Sequence, residues 1–355
     1  MTEVSRPPEP GSPDAPLVDL EGTLYASGAQ VRPTPGAPTD LAPELTDSAL
    51  AYESGLELKA RSQWAYARSR FFRHRLAMGS LVVLVAVLLC GAFAGHIASY
   101  SYDAIDLNNI NAGPTTTAHH YFGTDQLGRD YFSRVLYGIR TSARVAFFVS
   151  ILSTILGTLI GSFAGYFGGW LDNLLMRFTD LILTLPPLAV LLVAAARLGN
   201  GSINLGIFHL GQEYRVALIL ALLFWTGIAR VVRGLFLSLR EKEYVEAAKA
   251  SGSGDIRIIF RHMLPNSMGP IIVNMTLVTA GAILTESALS FLGFGIKPPT
   301  AALGNLIAQG ETQMQTQWWL VVFPGLTIVI IVMCINFIGD GLRDALDPTQ
   351  RRVRA

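Results

Sequence analysis

The sequence runs to 355 residues, of which 51% are hydrophobic and only 15% charged, with a mean hydropathy of +0.41. That balance excludes an ordinary soluble domain and predicts an all-α integral membrane protein. A net charge of +1, with no basic domain to hold a polyanion, argues against a nucleic-acid partner. Residues 1–55 are rich in proline from Pro7 to Pro43 and poor in aromatics, so they cannot bury enough surface to offset the cost of ordering. A disordered cytoplasmic tail is expected there, without the apolar core of a secretory signal. Residues 56–76 turn basic, with Trp64, Tyr66, Phe71 and Phe72 interleaved. They read either as a helix lying on the anionic lipid of the inner leaflet or as a positive flank that orients the first span.

A membrane-crossing helix needs roughly 20 mostly apolar residues. Residues 77–97, 145–167, 271–292 and 318–338 meet this easily. Two weaker segments are 181–196, which carries Pro186-Pro187, and 216–229, bounded by Arg215 and Arg230. Both can still cross, because neighbouring helices satisfy backbone groups freed by proline and terminal arginines snorkel while the helix continues through Val231 and Val232. The expectation is therefore a first transmembrane helix at 77–97, an extracytoplasmic loop at 98–142, a core of five further helices within 143–348, and a short tail at 349–355. Cys90 and Cys334 fall inside spans and read as packing residues.

Lys and Arg set the orientation. Lys59, Arg61, Arg68, Arg70, Arg73 and Arg75 precede the first span, Arg233 to Arg261 follow the fourth, and Arg343 to Arg354 follow the last. These alternate segments are expected to be cytoplasmic, with both termini inside the cell membrane.

The first outer loop contains Gly123-Thr124-Asp125 and Leu127-Gly128-Arg129-Asp130. This is turn and capping chemistry, and it reads as a structural cap over one end of the bundle in preference to a substrate contact. On the second span Gly157, Gly161, Gly165 and Gly169 recur at every fourth position, leaving a bare stripe on one helix face where two backbones can pack closely.

A polar island follows the fourth span. Residues 239–250 favour helix, Glu246 offers a carboxylate beside the small Ala247 and Ala248, and Ser251-Gly252 supplies the stop. Ser253 or Asp255 is expected to cap a second short helix with an apolar side of Ile256, Ile258 and Ile259. Pro265 should hold Leu264 extended before the next helix starts. The island is thus two short helices meeting at a glycine elbow.

Glu286 is the one acid well inside a predicted span. It is a functional candidate by default, although Thr285 and Ser287 could share its hydrogen bonding in a structural role. Trp318 and Trp319 stand where amphipathic rings anchor a helix at the membrane interface.

Taken together, Glu243, Glu246, Ala247, Ala248 and Gly252 followed by Leu264-Pro265, within 239–266, resemble the loop by which membrane subunits of binding-protein-dependent ABC importers engage their ATPases. The Gly123 to Asp130 segment, Gly165 to Trp170, Glu286 to Gly293 and Gly339 to Pro348 are similar to one of the two permeases of the dipeptide, oligopeptide and nickel importers, the subunit with the shorter outer loop. The resemblance covers about 70–348. The long tail and the glutamine-rich 311–317 stretch depart from it.

The resemblance implies a six-helix type I importer transmembrane domain. It also implies a second homologous permease, two ABC ATPase subunits that hold ATP and Mg, and an extracytoplasmic solute-binding protein as partners. Peptides would be the first cargo to consider, with nickel, haem or another small solute as alternatives on the same architecture. No Gly-rich loop ending in Gly-Lys-Ser or Gly-Lys-Thr occurs, so this chain is expected to be no enzyme and to carry no cofactor of its own. Neither paired intramembrane aspartates nor His-Glu-x-x-His are present to support an intramembrane protease. An ATP-independent channel is a distant rival that leaves the island without a purpose.

Overall fold

The computed structural model describes residues 63–117, 119–198, 204–205, 208–209 and 211–346. The expectations for 1–55 and for 349–355 fall outside these residues. Helix α1 (Gln63–Arg73) leads through His74 into α2 (Arg75–Ala92), with α3 (Ala94–Ile97) as a single further turn. His74 caps α2 by accepting from Ala77 N at 3.1 Å, and its Nε2 lies 3.8 Å from Asp344 near the other end of the described chain. Ala77 packs on Gly341.

Helix α4 (Tyr131–Phe167) is far longer than the expected second span: 37 residues, or about 55 Å. The extra turns come from the supposed outer loop. Arg134, read as a loop charge, is fully buried in the first of those turns, where Asp125 and Gln309 meet its guanidinium.

Three of the four stripe glycines bring α4 against α7 (Gln212–Arg240). A β-carbon at Gly157 would lie 2.6 Å from Trp225 O, one at Gly165 would lie 2.6 Å from Phe236 Cβ, and Gly161 is pressed as closely on Ala229 O. Gly169 is not part of this contact. It sits past the helix end at φ +57° with open space around it. Ser153 Oγ donates to Ala221 O at 3.3 Å across the same seam, the kind of bond that joins helices where lipid offers no hydrophobic drive between them.

The weak third span proves to be a bent pair. Helices α5 (Gly169–Thr184) and α6 (Pro187–Leu198) meet at 86° across Leu185-Pro186. Two adjacent prolines remove two backbone donors, and Leu185, ahead of Pro186, takes the extended conformation (ψ 138°) that a following proline favours. Five other helical stretches are long and apolar enough to cross a membrane, giving six crossings if the bent pair counts as one. A two-residue antiparallel pairing, Asn204–Leu205 with Phe208–His209, is the one strand pairing among the described residues.

After α7 come α8 (Glu243–Ala250), α9 (Asp255–Arg257) and a π-helical turn over Ile258–Met263, which runs directly into α10 (Leu264–Phe291). Leu264 is therefore helical (φ −59°, ψ −46°), not extended as its proline neighbour predicts. The wider π turn relieves the crowding that Pro265 would otherwise impose on the preceding turn, and burial of Ile258, Ile259 and Met263 rewards continuing the helix. Helix α11 (Leu303–Glu311), absent from the hydropathy reading, precedes α12 (Trp319–Leu346). Helix α10 packs against α4 and α12, while α2 packs mainly on α12 and secondarily on α4.

Candidate functional site

The elbow end of the bundle is built from the α7–α8–α9 region. Val245 is fully buried and joins Tyr166, Phe236, Ile258, Ile259 and Met263 in one cluster, so α8 is pinned to α4, α7 and the π turn. Burying such a side chain contributes on the order of 1.5–3 kcal/mol. The opposite face of α8 is bare. Glu243, Glu246 and Ala247 are exposed, and Ala248 is half-buried. Both carboxylates sit in the first turns of α8, where the helix dipole favours them.

The helix stops in a paired cap. Ser253 N donates to Ala248 O at 3.1 Å and Gly252 N donates to Lys249 O at 2.9 Å, with Gly252 at φ +76°. This pattern needs a left-handed residue at that position. Space is not the constraint, since a β-carbon at Gly252 would meet nothing within 4 Å.

Neither Ser253 nor Asp255 caps α9. Gly254 occupies the cap position without a side-chain bond, and Asp255 is engaged elsewhere. Its Oδ1 accepts from Tyr166 Oη at 2.6 Å, while Lys249 Nζ stands 5.4 Å from the centre of the Tyr166 ring and Arg240 donates to Tyr166 O at 3.4 Å. Tyr166 thus ties the end of α4 to both arms of the elbow. Sequence reading missed it because its partners are distant in the chain. Leu264 and Pro265 lie in the first turn of α10, half-buried and exposed respectively, below the elbow and not at its tip.

At the cap end, the Gly123 to Asp130 segment makes an interlocked set of bonds. Asp125 Oδ1 accepts from Leu127 N and Arg129 N, both at 2.9 Å, and its Oδ2 takes Arg129 Nε at 2.7 Å and Arg134 at 3.5 Å. Gln309 Oε1 on α11 receives Arg129 at 3.2 Å and Arg134 at 3.1 Å. Asp130 caps α4 by accepting from Ser133 N at 2.8 Å, and it faces the buried His120 Nδ1 at 2.9 Å. Thr124 Oγ1 accepts from Ala112 N at 2.8 Å. Gly128 (φ +73°) presses on Asp106 O, and Gly123 (φ +75°) leaves room for Trp319. The Asn109 amide and Asn108 N–H hold the Asp106 carboxyl below the usual carboxylate range.

Trp319 is a further departure. Its ring is buried and donates to Thr124 O at 3.3 Å, so it serves the cap, leaving Trp318 as the exposed ring of the pair.

Glu286 is wholly buried on α10, and the hydroxyl that meets it most directly belongs to Ser290, one turn along, and not to Thr285. Ser290 Oγ donates to Glu286 Oε1 at 2.7 Å and accepts from Ile296 N at 3.0 Å, which fastens the turn after α10. Thr285 donates instead to Gly281 O at 2.8 Å. No group of three or more metal-ligating side chains occurs among the described residues.

The family model described as the binding-protein-dependent transport system inner membrane component matches residues 157–352, the stretch that holds the elbow. The chain belongs to this family. A second model, described as the N-terminal transmembrane domain of oligopeptide transport permease C, matches residues 62–114, from α1 into the cap. This transport-system component is 38% identical over 300 residues to the oligopeptide transport system permease protein OppC of Escherichia coli K12, covering 84% of this chain and 96% of that one. The Haemophilus influenzae oligopeptide permease is 37% identical over 296 residues, covering 83% and 92%. The dipeptide transport system permease protein DppC of Alkalihalophilus pseudofirmus is 39% identical over 292 residues, covering 82% and 92%.

Proposed function

We propose that this inner-membrane component is the permease subunit of an ATP-driven importer of dipeptides and oligopeptides. It forms the translocation pathway with a second, homologous permease and receives cargo from an extracytoplasmic solute-binding protein. Two ABC ATPase subunits, which bind ATP and Mg, dock on the elbow from the cytoplasm. The relatives named for oligopeptide and dipeptide transport support the cargo class.

The observation that carries the coupling role is the division of α8 into two faces. Glu246 and Ala247 are offered to a partner, while Val245 beneath them is locked to α4, α7 and the π turn that runs into α10. A force applied to the exposed face is therefore delivered to three membrane helices, which is what rocking a bundle between inward- and outward-facing states requires.

The test uses the assembled importer in proteoliposomes with ATP inside. Glu246→Lys should lower peptide uptake and binding-protein-stimulated ATP hydrolysis together by about tenfold, the cost of a wrong charge at a contact. The purified chain alone should hydrolyse no ATP. Uptake and stimulated hydrolysis at wild-type levels, with normal membrane abundance, would remove the elbow from the coupling path.

A further inference from the structure

Two cavities follow one another along the bent pair α5–α6 and helix α7, with Asp180 and Arg230 of the first within a turn of Ile182 and Gly227 of the second. Toward the elbow end is a polar cleft of about 490 Å³ lined by Asn173, Arg177 and Asp180 of α5 and by Arg230 and Arg233 of α7. Farther along lies an apolar hollow of about 570 Å³, walled by Leu183 and Leu188 of the bent pair, Leu223 and Phe224 of α7, and Val278 and Leu284 of α10. Nearly three turns of α7, about 15 Å, separate Leu223 from Arg233. Together the two cavities offer a charged head and an apolar trough.

The charge at the head is not balanced. Arg233 grips Asp172 through two nitrogens, one at 2.7 Å, and Arg230 pairs with Asp180, yet Arg177 has no carboxylate partner among the described residues. Three guanidiniums against two carboxylates leave one positive charge. Arg230 and Arg233 also stay partly open, with 52% and 36% of their side chains exposed, and each keeps N–H groups that its aspartate does not use.

Helix α5 shows what surrounds this head. Asn173, Met176, Arg177 and Asp180 share the cleft face, whereas Trp170, Leu174, Phe178 and Leu181 form a separate stripe exposed by more than half. A helix with one charged and one bare apolar face belongs at a membrane interface.

We propose that this pair of cavities binds one phospholipid of the inner leaflet, its phosphodiester held by Arg177, Arg230 and Arg233 and an acyl chain lying in the Leu183–Phe224 trough. The leaflet assignment rests on the topology of the permease reading, with the elbow end inside. The phosphodiester of an anionic lipid such as phosphatidylglycerol, with no headgroup ammonium to cancel it as in phosphatidylcholine, supplies the net negative charge that the head lacks, and guanidinium recognises phosphate oxygens with paired N–H groups. The apolar trough directly beyond the head matches a lipid and has no counterpart in a free phosphate ion. A translocated peptide would also offer a carboxylate. The exposed apolar stripe on α5 favours the lipid, because it puts hydrocarbon beside the opening.

The experiment counts phospholipid on the purified, assembled importer by native mass spectrometry after stepwise delipidation, using phosphatidylglycerol and phosphatidylcholine as probes. Wild type should hold one phosphatidylglycerol beyond the point at which phosphatidylcholine is lost. Arg177→Gln, which leaves both ion pairs in place, should retain about fivefold less, and Arg177→Lys should retain most of it. Four outcomes overturn the proposal: equal retention in wild type and Arg177→Gln, equal retention of phosphatidylcholine, displacement by excess inorganic phosphate, or displacement by cargo peptide. Lipid held by the isolated chain but absent from the assembly would mean that the second permease covers the site, and this too overturns it. Retention is read without ATP, so an importer that couples normally but holds no lipid loses only this inference, and one that holds lipid but fails the Glu246→Lys test loses only the coupling role.

Discussion

Single residues at the elbow can be separated by what each supplies. Gly252 supplies a backbone angle and nothing else, since there is room for a side chain at φ +76°. Gly252→Val should cost about 1–2 kcal/mol of local strain and loosen the cap of α8. Gly252→Asn should be tolerated, because Asn visits the same region with a local hydrogen bond. Stimulated ATP hydrolysis should thus fall in the Val variant and stay near wild type in the Asn variant; equal losses would point to a contact needing glycine's small size. Tyr166→Phe removes the hydroxyl that reaches Asp255 while keeping the ring beside Lys249. It should lower thermal stability by about 1 kcal/mol and reduce coupling, as measured by the ratio of peptide taken up to ATP consumed. At the cap, Arg134→Met would leave Asp125 short of a buried cationic partner and Gln309 with one donor fewer. Losses of about 3–5 kcal/mol follow from breaking a buried pair, so the variant should be recovered at low yield in detergent extracts.

At the scale of elements, the α4–α7 seam makes the bluntest prediction. Gly161→Leu drives a side chain into Ala229 O and Val232, and overpacking of this kind costs about 1–3 kcal/mol or prevents the seam from closing. Gel filtration of the variant should show aggregation or a lower unfolding temperature, whereas a normal profile would mean that α7 can shift to make room. The stripe was legible because a four-residue glycine spacing has a direct geometric meaning, and the long apolar runs announced the crossings for the same reason. What escaped the sequence was whatever depended on distant partners. Arg134 counts as a loop charge until Gln309, 175 residues away, reaches it. Helix α11 is nine residues long, and its buried face includes Gly304 and Asn305, so hydropathy says little about it. The Pro186-Pro187 segment is equally mute, because proline announces a break without giving its angle. Pro265 misled outright: a local bias toward extended backbone yielded to the π turn and to three buried side chains before it.

For the whole molecule, the decisive question is which way the bundle faces. From the positive-charge distribution we propose that residues 239–266 and both chain ends face the cytoplasm. In a background lacking Cys90 and Cys334, a single cysteine at Asp106 in the cap should react with an impermeant thiol reagent only from outside. One at Asp344, close to His74, should react only from inside. Labelling of both from the same face would refute the odd number of crossings expected between them and, with it, the position of the elbow. The cap and the elbow lie at opposite ends of α4, which spans about 55 Å, so the two sites report on the two membrane faces through one continuous element.

The fastening of Ala77 to Gly341 and of His74 to Asp344 also bears on how the chain is made. Among the described crossings, α2 leaves the ribosome before the others, yet the surface it mainly rests on belongs to α12, which follows them all. Synthesis and packing therefore run in opposite orders. Until α12 arrives, α2 waits in the bilayer with its contact on α4 as the largest of those already made. A chain cut short before α12 would carry an intact elbow and an intact α4–α7 seam, and would still be a bundle left unlatched, open to quality-control proteolysis at its first helix.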